Sequence, residues 1–193
     1  MSKGNRVRLS VALRHSISMG VGAFLIAVPV GLMSETMLEK IASLVVSFLV
    51  LSFIVVIGIV CDVVGVAVTA AQEAPLHARA ASGVFGARRA ADLVRNAHQV
   101  ASFCSDVVGD VSGTLSGAIG VAIVYQLLQQ PRPLAAIVTT ALMSATIAAL
   151  IVGGKAFGKV YAIRKSTEIV LFVGCLLTFL QTLPQRLLPR RLR

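Results

Sequence analysis

Long uncharged apolar stretches alternate with short basic or polar links along this chain. Residues 16–33 carry no charge and include Pro29, which would kink a helix there. Residues 41–72 hold a single charge, Asp62. Residues 99–131 hold two, Asp106 and Asp110. Residues 134–154 hold none, and 169–183 form a further uncharged stretch that is short for a crossing. A helix needs about 20 apolar residues to span a bilayer. The pattern therefore predicts an all-α integral membrane protein with about four transmembrane helices. The fifth segment is expected to be a belt or re-entrant helix near the C-terminus.

The link after the second stretch has a different period. PLHARAASGVFGARRAADLVRNAHQV (residues 75–100) reads as two short amphipathic helices broken at Ser82-Gly83. Val84, Ala87, Ala91 and Val94 share one face, with Arg88, Asp92 and Arg95 on another. This suits a helical hairpin at the cytoplasmic membrane surface.

Composition agrees with the pattern. Of 193 residues, 56% are hydrophobic and only 13% charged, against about 25% in soluble domains. Mean hydropathy is +0.88. The net charge of +10 fits cytoplasmic loops and anionic lipid better than nucleic acid. Basic clusters lie at Lys3–Arg14, Arg79–Arg95, Lys155–Lys165 and Arg186–Arg193. SETMLEK and QQPRP, the two remaining links, are poor in Lys and Arg. The positive-inside rule then puts both termini in the cytoplasm and makes the protein multi-pass. Because no cleavage site precedes SETMLEK, the first stretch reads as an uncleaved span. Cys61, Cys104 and Cys175 lie in apolar segments without metal or disulfide spacing, and read as small core residues. His15, His77 and His98 are far apart, and no triad, HExxH or nucleotide loop is present, so no enzyme is expected.

The chemistry concentrates in DVVGDVSGTLSGAIG, residues 106–120. Asp106, Asp110 and Thr114 recur every fourth residue and fall on one helix face. Asp106 lies about one turn into its span and can reach the interface, whereas Asp110 is deeper. A charge at bilayer depth costs about 2.5–3.5 kcal/mol on insertion scales, so such residues face a bundle interior or water. Asp62 shares a face with Gly65 and Thr69. Ser112, Gly113, Ser116, Gly117 and Gly120 read as helix-packing residues.

The order of parts resembles the transmembrane domain of the cyclin M / CorB–CorC magnesium transporter family, over roughly residues 44–183. The family's Ser-Glu-Thr-Ala motif corresponds to AVTA, with Ala67 and Val68 replacing Ser and Glu ahead of Thr69 and Ala70. Its hairpin glycine corresponds to Gly83. Its Gly-Asn and following Asn correspond to Gly109-Asp110 and Thr114. Gly-Glu-x-x-Pro-Lys corresponds to GKAFGK, in which Gly154 and Lys159 match, Lys155 replaces Glu and Gly158 replaces Pro. The resemblance implies divalent-cation transport by a homodimer, with magnesium held at Asp110 and Thr114. Asp62, Thr69, Asp106 and Lys155 would line the path. It also implies three regions: 1–40 with an extra first span, 41–185 as the family's domain with a hairpin at 74–98 and a belt helix at about 160–183, and 186–193 as a basic tail. The family's usual CBS domains are not expected after the belt.

Lys155 complicates that reading, because a lysine repels a divalent cation. It could instead neutralise Asp110 as an internal ion pair. Three functions stay open: magnesium transport, a non-transporting homologue acting as a membrane scaffold or regulatory partner, and proton- or anion-coupled transport through an Asp110–Lys155 pair. The bilayer itself, a second copy and another membrane protein are the expected partners. The bacterial inner membrane is the expected location.

Overall fold

The computed structural model describes residues 14, 16–32, 43–128 and 133–187, and every described element is helical. The apolar Ser16–Leu32 forms α1. It is followed by α2 (Leu44–Ala70), α3 (Glu73–Ala81), α4 (Ala87–Arg95) and α5 (Ala97–Ser102). A π-helical turn, Phe103–Gly109, leads into α6 (Asp110–Leu128), and α7 (Pro133–Arg164) and α8 (Ser166–Leu187) complete the order. SETMLEK, most of QQPRP and nearly all of the basic tail lie outside the described residues.

Among the described residues, three helical stretches are long and apolar enough to cross a membrane: Leu44–Ala70, Ala97–Leu128 and Leu134–Arg164. Many of their large apolar side chains point outward. Leu49 and Phe53 on α2 are exposed, as are Leu134, Ile137, Leu142, Leu150 and Phe157 on α7. Exposed apolar surface of this extent belongs in lipid, not in water. The protein is an all-α, multi-span membrane protein.

The helix bounds differ from the sequence expectation in places. The 134–154 stretch continues as helix through GKAFGK to Arg164, because neither Gly158 nor the lysines break helical hydrogen bonding as a proline would. The chain turns only at Lys165, and α8 begins at Ser166. There the Glu168 carboxylate, 3.0 Å away, accepts from the Lys165 ammonium and holds it above the usual lysine range. Pro29 lies near the end of α1, and α1 continues past it to Leu32.

The described residues divide into two compact units, one comprising 14–59 with Ser105–Gly154 and the other Val60–Cys104 with 155–187. In the first unit Leu51, Ile119, Ile123 and Ile147 form the core. Small residues set its helix spacing. A Cβ on Gly58 would stand 2.8 Å from the Ser112 Cβ, and one on Gly120 would overlap the Ile147 side chain. Gly113 and Gly117 have nothing within 4 Å. Among the described residues, no neighbouring helix closes on either, so the expectation that they pack helices together is not met there.

In the second unit Ala67, Val68, Leu76, Ala90, Ala91, Val94, Ala162 and Val170 form the core. Helices α3 and α4 pack against each other, and Gly83 in the turn between them has φ +76°. A second left-handed glycine, Gly86 at φ +79°, was not anticipated. It opens α4 against α8, where Gly174 lies beside it. A Cβ on Gly86 would stand 2.5 Å from the Cys175 backbone, and one on Gly174 would stand 2.6 Å from the Gly86 carbonyl oxygen. Cys175 is also more than a core residue, since its Sγ donates to the Phe85 carbonyl at 2.9 Å. Val84 is exposed, and Ala90 takes its expected place on the buried face.

The two hairpin glycines should respond differently to a methyl group. Gly83→Ala meets open space and carries only the left-handed backbone penalty, about 1–2 kcal/mol. Gly86→Ala adds a clash with the backbone of α8 and should cost clearly more. Thermal unfolding in detergent checks the order, and an equal or reversed effect would rule out the α4–α8 contact described here.

Candidate functional site

Asp62 sits on α2 with its neighbours Gly65 and Ala67 also buried. Its carboxylate is 5% exposed, and Oδ2 lies 3.6 Å from the Lys159 Nζ of α7. That oxygen has no hydrogen-bond partner among the described residues. A buried carboxylate is tolerated only when paired, because desolvation of a lone ion costs several kcal/mol. Lys159 supplies the opposite charge, while its own side chain is 50% exposed and stays partly hydrated. Thr69, two turns along α2, is exposed, and its hydroxyl donates to the Val66 carbonyl at 2.8 Å. Thr69 stays on the face of Asp62 but stands at the exposed end of α2.

The acidic stripe belongs to the other unit. Asp106 lies within the π-helical turn, Asp110 opens α6, and Thr114 follows one turn later. All three are exposed. The intervening Val107, Gly109, Ser112 and Ser116 are buried on the opposite side. The Thr114 hydroxyl donates to the Asp110 backbone carbonyl at 3.0 Å. Ser116 does the same to Ser112 at 2.7 Å, which consumes a buried hydroxyl that would otherwise need a partner. The helix thus divides into a packed small-residue side and a carboxylate-bearing open side. π-helical turns widen a helix by one residue and recur at functional sites, and no sequence period foretold this one.

Lys155 is half-buried on α7, one turn before Lys159. Ala67, at the place of the family's serine, is fully buried and offers no side-chain oxygen. Among the described residues, no group of three or more His, Cys, Asp or Glu side chains could hold a metal ion. Lys159 is the residue that the sequence reading passed over. Its position was visible at the end of GKAFGK, but its partner lies far away in sequence, beyond the reach of any helical period.

Exposure makes the ion pair asymmetric. Lys159→Met strands a buried carboxylate, a change that costs about 3–5 kcal/mol for fully buried pairs and about 1–3 kcal/mol here, given the hydration of Lys159. Asp62→Asn leaves a lysine that can turn to water, and should cost about 1 kcal/mol or less. Unfolding of both variants in detergent tests this. Equal losses would mean that burial of Asp62 does not govern the pair.

The model of the cyclin M transmembrane N-terminal domain matches residues 61–185, beginning one residue before Asp62 and ending within α8. No curated protein and no solved structure matches the chain. Transmembrane domains of this kind are non-catalytic modules of a divalent-cation transport family, in keeping with a sequence that carries no catalytic motif. With most of its length covered and its apolar helices in the expected order, the chain belongs to the cyclin M transmembrane domain family.

Proposed function

We propose that the chain is a divalent-cation transport module, with magnesium as its cargo, and that Asp106, Asp110 and Thr114 line its path. The observation that carries this reading is the exposed face of α6 and the turn before it, where two carboxylates stand on an otherwise apolar crossing. Facing lipid, each would cost about 2.5–3.5 kcal/mol or more. Facing water or a second copy, they form an oxygen-rich wall suited to a hard cation. Asp110 and Thr114 would hold the ion, with the Thr114 hydroxyl offering a lone pair while it donates to the Asp110 carbonyl. Asp62, Thr69 and Lys155 complete the proposed set of pathway residues, with Asp62 held in charge balance by Lys159.

In this reading α1, α2, Ala97–Leu128 and α7 make four crossings and α8 is the belt, and both termini are in the cytoplasm of a bacterial cell. The protein works as a homodimer, with regions 1–40, 41–185 and 186–193 serving as first span, transport domain and tail. A second reading has specific support. The buried Ala67 lacks a ligand oxygen, and Lys155 replaces an acid. These exchanges favour a homologue that no longer transports and acts as a membrane scaffold or regulatory partner.

Thermal stability of the purified chain against magnesium separates the two. A ligand that binds only the folded state adds about 2.7 kcal/mol at a concentration one hundred times Kd. Transport predicts a saturating, magnesium-selective rise, with sodium ineffective and calcium weaker. It also predicts loss of that rise in Asp110→Asn and magnesium flux in liposomes. The scaffold reading predicts no shift in the wild type and a magnesium response gained in Lys155→Glu.

A further inference from the structure

Within the second unit, α4, α5 and α8 border an open surface cleft of about 230 Å³, whose polar residues Arg89, Asp92, Asn96 and Gln181 are exposed. Arg89, Asp92 and Asn96 line it from the hairpin side, Gln181 and Leu177 from α8, and Leu93 forms part of its floor. Drug-sized ligand pockets run to about 300–1,000 Å³, so this space suits one polar headgroup rather than a large molecule. Its charges are unusual in their arrangement. Arg89 and Asp92 are three apart on one helix and could bridge each other. Instead the Arg89 Nη2 donates to the Gln181 Oε1 at 2.8 Å. The Asp92 carboxylate makes no ion pair among the described residues. A cation and an anion are thus held apart at one small cleft, with most of the guanidinium's five donors still available.

The surroundings point to lipid. On α8, Phe172, Leu176, Phe179 and Leu180 are exposed beside the cleft-lining Leu177 and Gln181. A membrane protein covers such a face with acyl chains. We infer that this cleft binds the headgroup of a zwitterionic phospholipid carrying a primary amine, phosphatidylethanolamine. The phosphate takes Arg89, the ammonium takes Asp92, and the acyl chains lie along α8. Equal and opposite lining charges favour a zwitterion over an anionic lipid. A primary ammonium has three donors for Asp92 and the neighbouring amide oxygens. A quaternary choline has none and prefers an aromatic cage, and no aromatic side chain lines the cleft.

The test is thermal unfolding of the full chain in detergent micelles doped with phosphatidylethanolamine, phosphatidylcholine or phosphatidylglycerol, with soluble phosphoethanolamine as a fourth arm. Phosphatidylethanolamine should raise the melting temperature at about tenfold lower mole fraction than the other two lipids. Arg89→Gln and Asp92→Asn, each folding normally without added lipid, should abolish that preference. Equal protection by phosphatidylcholine would overturn the headgroup assignment. A preference for phosphatidylglycerol would reduce the site to a basic surface, and full protection by soluble phosphoethanolamine would replace the lipid with a free metabolite. Should either variant melt early without lipid, retained preference in Asp92→Glu and its loss in Arg89→Lys, which cannot form the planar fork, serve the same purpose.

Discussion

A charge carried to bilayer depth must be covered, and the arrangement of this protein follows from that constraint. The chain has only a handful of ionisable residues within its apolar stretches, and each has a distinct environment. Asp62 is buried and balanced by Lys159 at 3.6 Å. Asp106 and Asp110 occupy the open side of a helix whose other side is packed with small residues. Neither environment tolerates lipid contact, for the same reason: hydrocarbon provides neither counter-charge nor hydrogen bonds. A buried pair and an open carboxylate face are two solutions to one desolvation problem.

The second unit depends on close backbone approach. Gly86 and Gly174 let the start of α4 meet α8 with no side chain between them, and the Cys175 thiol donates to the adjacent Phe85 carbonyl. Alanines then carry the packing: Ala67, Ala90, Ala91 and Ala162 are nearly or fully buried. Small residues gain little from burial individually, but they allow many backbone and Cβ contacts at short range. The same approach brings Arg89 to Gln181 and opens the cleft beside Asp92. A hairpin that sequence period alone presents as a surface feature is in fact seated on an apolar helix.

Much of the candidate site was legible because helical spacing is a local property. Asp106, Asp110 and Thr114 recur at the helix period, and they do emerge together on one exposed side. Asp62 was visible as the lone charge of its stretch. The family's motif order located Lys155 and Ala67, and Ala67 is fully buried. Lys159 was passed over because its significance comes from Asp62, on another helix. Gly113 and Gly117 look identical to Gly120 in sequence, yet among the described residues it is Gly120 that closes on a neighbouring side chain, that of Ile147.

The sequence by itself determined the medium, the helical class, the long apolar helices, the helix break near Ser82-Gly83, and the family. All of these rest on composition, short-range period and ordered motifs, which need no knowledge of what lies across the fold. Tertiary structure decided which carboxylate is buried and which is open, which glycines are contact points, and that Arg89 turns to Gln181 instead of Asp92. Those outcomes depend on which helix faces which, and pairings between residues distant in sequence leave no periodic trace. The π-helical turn belongs with them: one residue too many in a helix is accommodated by packing around Val107 and Gly109, not by any propensity of FCSDVVG.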